Sequence, residues 1–338
     1  GAVKDALAAG HARDHAALLK GVRPMEASSP EILGSSAALR AMLTQIRQAA
    51  QFDAHVLING ETGSGKELAA RAIQRLSPRV SRPYVAINCA AIPDTLFDSE
   101  FFGHVKGAFT GAVSNHRGLL EQAHGGTLFL DEIGDLSPPS QAKLLRALDT
   151  GTCRKVGGTT TQTVDVRVIS ATNKDLREEV EAGHFREDMF YRLAALEVDV
   201  PPLRDHPEDI SLLAQRFLED LRVNGAPVGF SDAAIGMLQG YDWPGNIREL
   251  HNAIQRVVAR ARRAIITSDD IAQSRVLGVY GGVESSPGSR HLAVTGFERQ
   301  HVATVLATHD GNVTRAARAL GVHRTTLQRL MRKYGLRD

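Results

Sequence analysis

The chain has 338 residues, 43% hydrophobic and 23% charged, with a net charge of +2. That length exceeds one comfortable core and fits about two domains at roughly 150 residues each; the near-neutral balance excludes a polycation, so nucleic-acid contacts must rest on locally clustered base. Two cysteines, Cys89 and Cys153, exclude a disulfide framework, and with no bilayer-length apolar run and no signal-peptide core at the start the expectation is a cytoplasmic protein with free thiols and no membrane partner.

Residues 1–29 are rich in alanine and leucine up to Pro24 and a Ser28-Ser29-Pro30 turn. They read as a linker helix or the remnant of a regulatory domain. Over residues 30–206, short apolar runs alternate with amphipathic stretches. Candidate strands are His55–Asn59, Tyr84–Asn88, Thr127–Leu130, Val164–Ala171 and Leu196–Val200. Short buried strands separated by helices predict an α/β fold with a parallel five-stranded sheet. Over residues 207–275 the strand pattern vanishes, which predicts a helical subdomain. Residues 276–291 contain Gly281-Gly282-Val283-Glu284-Ser285-Ser286-Pro287-Gly288-Ser289, the composition of a flexible linker. Residues 292–338 form a second, compact all-α unit.

The first motif with chemistry follows the first strand. Gly60-Glu61-Thr62-Gly63-Ser64-Gly65-Lys66-Glu67 leads into a helix over Leu68–Arg75. Glycines let backbone N–H groups wrap an anion, and the helix N-terminus adds its dipole. Lys66 is placed to reach β- and γ-phosphates. The general phosphate loop ends in Ser or Thr, whose hydroxyl holds magnesium; here Glu67 stands instead. Taken alone, the loop is also compatible with a structural glycine turn. The second half of the site is Gly125-Gly126-Thr127-Leu128-Phe129-Leu130-Asp131-Glu132, a buried strand ending in two carboxylates. A magnesium-binding Asp belongs there. Asp131 would hold the metal through water, and Glu132 would polarise the attacking water. With no hydroxyl at position 67, Asp131 and water must carry more of the metal. Asn173 ends another strand and would orient the γ-phosphate or the water, although a lone Asn there also suits a strand-end turn. ATP and Mg²⁺ are the cofactors implied.

These residues resemble the AAA+ ATPases that activate sigma-54 RNA polymerase, the bacterial enhancer-binding proteins of the NtrC family. The most specific element is Gly107-Ala108-Phe109-Thr110-Gly111-Ala112, which resembles the GAFTGA loop with which those activators engage sigma-54. Two glycines make a mobile loop, and Phe109 with polar Thr110 beside it suits an exposed grip on a partner. The resemblance implies further roles. Asn88 matches the switch asparagine that restrains Glu132. Arg186 and Arg192 match the arginine fingers, Arg248 the second sensor, and Ile32 and Gly34 the segment lining the adenine. Singly, each arginine would read as a surface ion pair. Because such fingers serve the neighbouring subunit, the resemblance implies self-assembly from a dimer to a ring, usually of six.

From Arg290 onward nine basic residues face three acidic ones, a local charge of +6. Asn312 can cap a helix over Val313–Leu320, Gly321 stops it, and a basic helix follows over His323–Lys333. The pattern fits a helix-turn-helix and resembles the Fis-type domain of these activators; a dimerisation hairpin with a basic outer face would share it. Arg324, Thr325, Thr326, Gln328, Arg329 and Arg332 are the base-edge and phosphate candidates. The expected activity is ATP hydrolysis that remodels the closed sigma-54 polymerase complex from enhancer DNA, as the output part of a two-component response regulator. A sensor kinase becomes a partner where a receiver domain precedes the chain. The alternative is a DNA-binding regulator whose ATPase ring acts on a partner other than sigma-54.

Overall fold

The computed structural model describes residues 32–221, 227–261, 264–274 and Val313. The chain divides into two compact units, residues 1–277 and 278–338. The helix-turn-helix candidates Arg324, Thr325, Thr326, Gln328, Arg329 and Arg332, the linker, and the segment 1–29 lie outside the described residues.

Among the described residues the first element is α1 (Ala37–Gln51), where the Ser36 hydroxyl accepts from the Leu39 N–H at 3.2 Å and caps the helix. Its buried residues Leu39, Met42, Leu43, Ile46, Ala49 and Ala50 recur at helical spacing and make one apolar face. In order follow β1 (Val56–Asn59), α2 (Lys66–Arg75), β2 (Tyr84–Asn88), α3 (Asp94–Phe102), β3 (Gly103–His104), β4 (His116–Arg117), α4 (Leu119–Gln122) and β5 (Thr127–Asp131). Then come α5 (Pro138–Thr150), β6 (Thr152–Arg154), β7 (Thr161–Thr163), β8 (Arg167–Thr172), α6 (Leu176–Glu181), α7 (Glu187–Leu193) and β9 (Leu196–Asp199).

The main sheet has the order β2-β5-β8-β1-β9, all pairs parallel. Each parallel pair requires a crossover, and the helices cover both faces. Side chains alternate between those faces. Leu128 and Leu130 join Phe97, Phe101, Leu144 and Met189 on one side. Phe129, Ile169 and Ala171 join Ile46, Ala70 and Ile73 on the other. Every residue of β8 is buried, which explains its unbroken Val-Ile-Ser-Ala centre. The expected strand over 164–171 is in fact β8 over Arg167–Thr172, with Thr161–Thr163 diverted into a separate antiparallel pair with β6.

The helical part contains α8 (Ile210–Asp220), β10 (Gly229–Phe230), α9 (Asp232–Gln239), α10 (Asn246–Val258), β11 (Ile265–Ile266) and α11 (Ser268–Gln273). The expectation that strands vanish here needs correction, because β10 and β11 pair in parallel. Two residues apiece give no readable alternation. Trp243 lies at the centre, fully buried, among Leu203, Leu213, Leu218, Leu238, Leu250 and Ile254, and donates its indole N–H to the Leu238 carbonyl at 2.7 Å. No helix among the described residues is long and apolar enough to cross a membrane.

Candidate functional site: a nucleotide cleft, a hairpin and two arginines

The C-terminal ends of parallel strands collect ligands because loops there face a topological opening. Here β1 ends at Asn59, and the chain turns through Gly60 to Gly65 before α2. Gly63 (φ +78°) and Gly65 (φ +106°) hold the left-handed backbone that this turn requires. Lys66 is the first residue of α2 and only 6% exposed. Its ammonium donates to the Gly60 carbonyl at 2.8 Å and lies 3.5 Å from the Glu132 carboxylate. The Ser64 hydroxyl beside it is buried without a protein partner.

Strand β5 delivers the two carboxylates. Burial raises the Asp131 carboxyl pKa, and the charge of Glu132 raises it further, against the opposing pull of Lys66. Glu132 follows in a left-handed conformation at φ +51°, a position only sparsely occupied by residues with a side chain. Its carboxylate accepts from the Asn173 N–H at 3.2 Å, and the Asn173 amide donates to the Thr62 hydroxyl at 3.0 Å. Asn173 therefore ties β8 to both the glycine loop and Glu132. Glu67 is 59% exposed, borders the cleft beside Lys66 and pairs with Arg71 one helical turn on at 3.0 Å.

A cleft of about 300 Å³ opens over these residues. Thr62, Gly63, Gly65, Lys66, Asp131 and Glu132 form one wall, and Phe217, Ile247, Arg248 and His251 of the helical part form the other. The structure thus brings Lys66, Asp131, Glu132 and Arg248 together. Phe217 and His251, whose rings meet edge to face at 4.9 Å, were not anticipated. The signal for His251 was its place three residues beyond Arg248, on the same helical face. Ile32 and Gly34 are not among the residues lining this cleft: Ile32 packs on the α1–α2 core, and Gly34 lies against Asp209.

The helical part is fastened to the glycine loop by polar contacts. The Arg204 guanidinium donates to the Glu61 carboxylate at 2.8 and 2.5 Å, and this bond holds the Glu61 carboxyl below its usual pKa. The buried Asn246 amide donates to Glu61 at 3.1 Å and to the Thr62 carbonyl at 3.2 Å. Glu61 therefore points at the helical part, away from the cleft lining.

Asn88 sits beside Asp131 in the β2–β5 register. Its side-chain oxygen accepts from the Ala90 N–H at 2.9 Å, while Glu132 is engaged by Lys66 and Asn173. Arg186 and Arg192 lie elsewhere, at the start and end of α7. The Arg186 guanidinium grips Asp188 at 3.0 and 2.6 Å. Arg192 donates to the Leu148 carbonyl at 2.9 Å and pairs with Asp149 at 3.2 Å. Neither arginine lines the cleft of its own chain.

The segment Gly107-Ala108-Phe109-Thr110-Gly111-Ala112 caps the antiparallel pair β3–β4. It is closed by its own bonds, Gly107 N–H to the Ala112 carbonyl at 2.9 Å and Ala112 N–H to the Phe109 carbonyl at 3.0 Å. Gly107 (φ +82°) and Gly111 (φ +110°) supply the left-handed turns. A side chain at either would meet nothing within 4 Å, so the glycines serve the backbone's path and not close packing. Phe109 is 43% exposed, with its ring edge-on to His104 at 5.0 Å, and Val113 is 82% exposed. His104 and Val113 were missed because neither carries a pattern on its own.

Comparison with known proteins agrees with this layout. Residues 32–199 match the sigma-54 interaction domain, residues 204–276 the AAA+ ATPase lid domain, and residues 294–334 the bacterial regulatory protein, Fis family. The chain is 46% identical over 320 residues to the anaerobic nitric oxide reductase transcription regulator NorR of Salmonella paratyphi C, covering 91% of this chain and 63% of that protein. It is 45% identical over 293 residues to the Nif-specific regulatory protein of Azotobacter vinelandii, covering 86% of this chain and 56% of that one. The chain thus spans less than two thirds of these curated relatives. The crystal structure of NtrX from Brucella abortus in complex with ATP superposes with a TM-score of 0.68 at 31% identity, covering 99% of this chain and 76% of that one. A RuvB mutant from Thermotoga maritima, at 18% identity, TM-score 0.51, and coverage of 89% and 87%, shows likeness of fold alone. With three consecutive domain matches and this cleft in place, the chain belongs to the sigma-54-interacting AAA+ ATPases that carry a Fis-type helix-turn-helix domain.

Proposed function

We propose that this chain hydrolyses ATP in a ring of identical subunits and uses the cycle to activate sigma-54 RNA polymerase from enhancer DNA, as the output part of a two-component response regulator. The observation that carries the reading is the separation of parts. Lys66, Asp131 and Glu132 meet at one cleft, with Asn173 bonded to Glu132 beside it, whereas Arg186 and Arg192 stand outside it. In this reading the domains are residues 30–206 for the ATPase, 207–275 for the lid, 276–291 for the linker and 292–338 for DNA binding.

The glycine loop and Lys66 bind the phosphates, and Arg248 approaches them from the lid. Magnesium fits the donor set: Asp131 offers a hard carboxylate oxygen at the end of β5, with the Glu132 carboxylate next to it. When bound, the metal neutralises charge on the transferring phosphoryl group. Asp131 would hold it through water, since Glu67 offers no hydroxyl where the general phosphate loop has Ser or Thr. Glu132, aimed by the Asn173 N–H, orients the attacking water and accepts its proton. The Asn173 amide, now on Thr62, reports the γ-phosphate; Asn88 acts as the switch beside Asp131. Arg186 and Arg192 enter the neighbour's cleft and stabilise charge in the transition state. Hydrolysis then shifts the β3–β4 hairpin, and Phe109 with Thr110 presses on sigma-54. Arg324, Thr325, Thr326, Gln328, Arg329 and Arg332 contact DNA.

The test is a pull-down of purified sigma-54 with ADP and aluminium fluoride, a mimic of the transferring phosphoryl group. The wild-type chain should retain sigma-54 only with the mimic, and Thr110→Ala should lose it while still hydrolysing ATP. Equal retention with and without the mimic would refute the coupling.

A further inference from the structure

Glu61 occupies the second position of the phosphate loop, yet its side chain turns to the lid. Its carboxylate accepts two bonds from Arg204, which lies just before the first lid helix, and one from Asn246 at the start of α10. Asn246 is the hub. It is completely buried, its backbone is left-handed at φ +52°, and its amide makes three hydrogen bonds. The amide nitrogen donates to Glu61 and to the Thr62 carbonyl, and the amide oxygen accepts from the Leu203 N–H at 2.8 Å. Behind it the backbones touch. A β-carbon on Gly63 would lie 2.5 Å from the Gly245 carbonyl oxygen, and the Arg248 N–H donates to the Gly63 carbonyl at 3.3 Å. The lid is thereby joined to the residues that wrap the phosphates, and Arg248 sits two residues beyond the joint.

We infer that Glu61, Arg204 and Asn246 form a latch that sets the lid against the phosphate loop and so governs how long a nucleotide stays bound. This rests on the nucleotide reading of the cleft. The three are positioning residues. They hold Arg248, Ile247 and His251 over the cleft, and none of the three side chains needs to touch the ligand. Removing an arm of the latch lets the lid wall sample open positions without altering Lys66, Asp131 or Glu132. The signature is a faster nucleotide off-rate and a higher KM for ATP, with kcat at saturation retained. A defect in the chemistry gives the opposite split.

The experiment measures release of a fluorescent ADP analogue by stopped flow from the full chain, together with steady-state ATPase kinetics. Arg204→Ala should raise the off-rate and KM about three- to tenfold, a modest figure because the pair is partly solvated. Arg204→Lys, which keeps the charge but not the two-pronged geometry, should fall between it and wild type. Asn246→Gly removes the amide while tolerating the left-handed backbone and should raise the off-rate about tenfold or more, as expected when buried polar partners are stranded. If the parent chain binds the analogue and Arg204→Ala and Asn246→Gly release it at the parental rate, the latch is wrong and the nucleotide reading stands. Lost kcat with unchanged release also overturns the latch. If the parent chain binds no analogue, the nucleotide reading falls and the latch with it.

Discussion

The cleft and the α7 helix treat their charges in opposite ways. At the cleft, Lys66 is buried, Glu132 is held by a backbone N–H in a strained conformation, and Asn173 bridges two strands' worth of loop. At α7, Arg186 and Arg192 are surface residues that, among the described residues, hold nearby carboxylates and a carbonyl of their own chain. Exposed pairs of that kind are worth little and exchange easily with another anion. In the proposed ring, the cleft is the half of the machinery built within one chain and the two α7 arginines are the half offered to a second copy.

The largest expected effect tests that division directly. Arg186→Ala should lower ATP turnover by about 10³-fold or more while leaving nucleotide affinity near wild type. Lys66→Ala should be equally inactive for a different reason, loss of phosphate binding. Mixing the two inactive variants should restore measurable phosphate release, because some interfaces then pair an intact cleft with an intact finger. Failure of the mixture, with both variants folded and assembled, would place Arg186 in its own chain's site and erase the contrast. Next in size, Glu132→Gln should slow hydrolysis by about 10² to 10⁴-fold, the usual range for a lost general base, and trap ATP without weakening it. Single-turnover measurements separate this from a binding defect.

Two substitutions probe what keeps the prebuilt half rigid. Trp243→Ala should cost about 3–5 kcal/mol of stability, since a fully buried ring and its hydrogen bond both go. Thermal or urea unfolding reads this out. An equivalent truncation at exposed Tyr191, on α7, should leave the midpoint nearly unchanged.

The same contrast decides what could be read in advance. The sheet was legible because buried parallel strands are near-continuous apolar runs, and the two carboxylates stood at the end of one of them. The lysine, the carboxylates and the strand-end Asn173 were legible because their chemistry dictates residue type and order. The side chains of Glu61 and Asn88 were not. Glu61 sits within a phosphate-binding pattern, so sequence groups it with the ligand contacts; in the structure its carboxylate accepts from Arg204, 143 positions away. Asn88 was expected on Glu132; in the structure its side-chain oxygen accepts from the Ala90 N–H, while Glu132 is engaged by Lys66 and Asn173. Local hydrogen bonds and long-range ion pairs both leave no periodic trace. The β10–β11 pair was missed for a simpler reason: two residues cannot display alternation.

The smallest effect concerns pH and again divides the two regions. Asp209 is buried and accepts from the Ser35 and Ser36 N–H groups at 2.7 and 3.2 Å and from His206 at 3.2 Å, tying the lid's first helix to the segment before α1. Burial by itself would raise its carboxyl pKa; the bonds from His206, Ser36 and Ser35 outweigh that, and the net direction is down. A depressed carboxyl favours the native state fully above its unfolded value of about 3.9, and that contribution is lost as pH falls through the lower folded value. Asp209→Asn keeps the shape and removes the titration. The stability gap between wild type and Asp209→Asn should therefore be constant near neutrality and shrink in acid. At α7, the Asp188 carboxyl is also lowered by its bond to Arg186, but the pair is solvated, and Asp188→Asn should leave the acid limb of the stability curve where it was. A gap that stays open in acid for Asp209→Asn, or one that closes for Asp188→Asn, would mean that the buried links do not hold the lid and that the two halves of the molecule are not built differently after all.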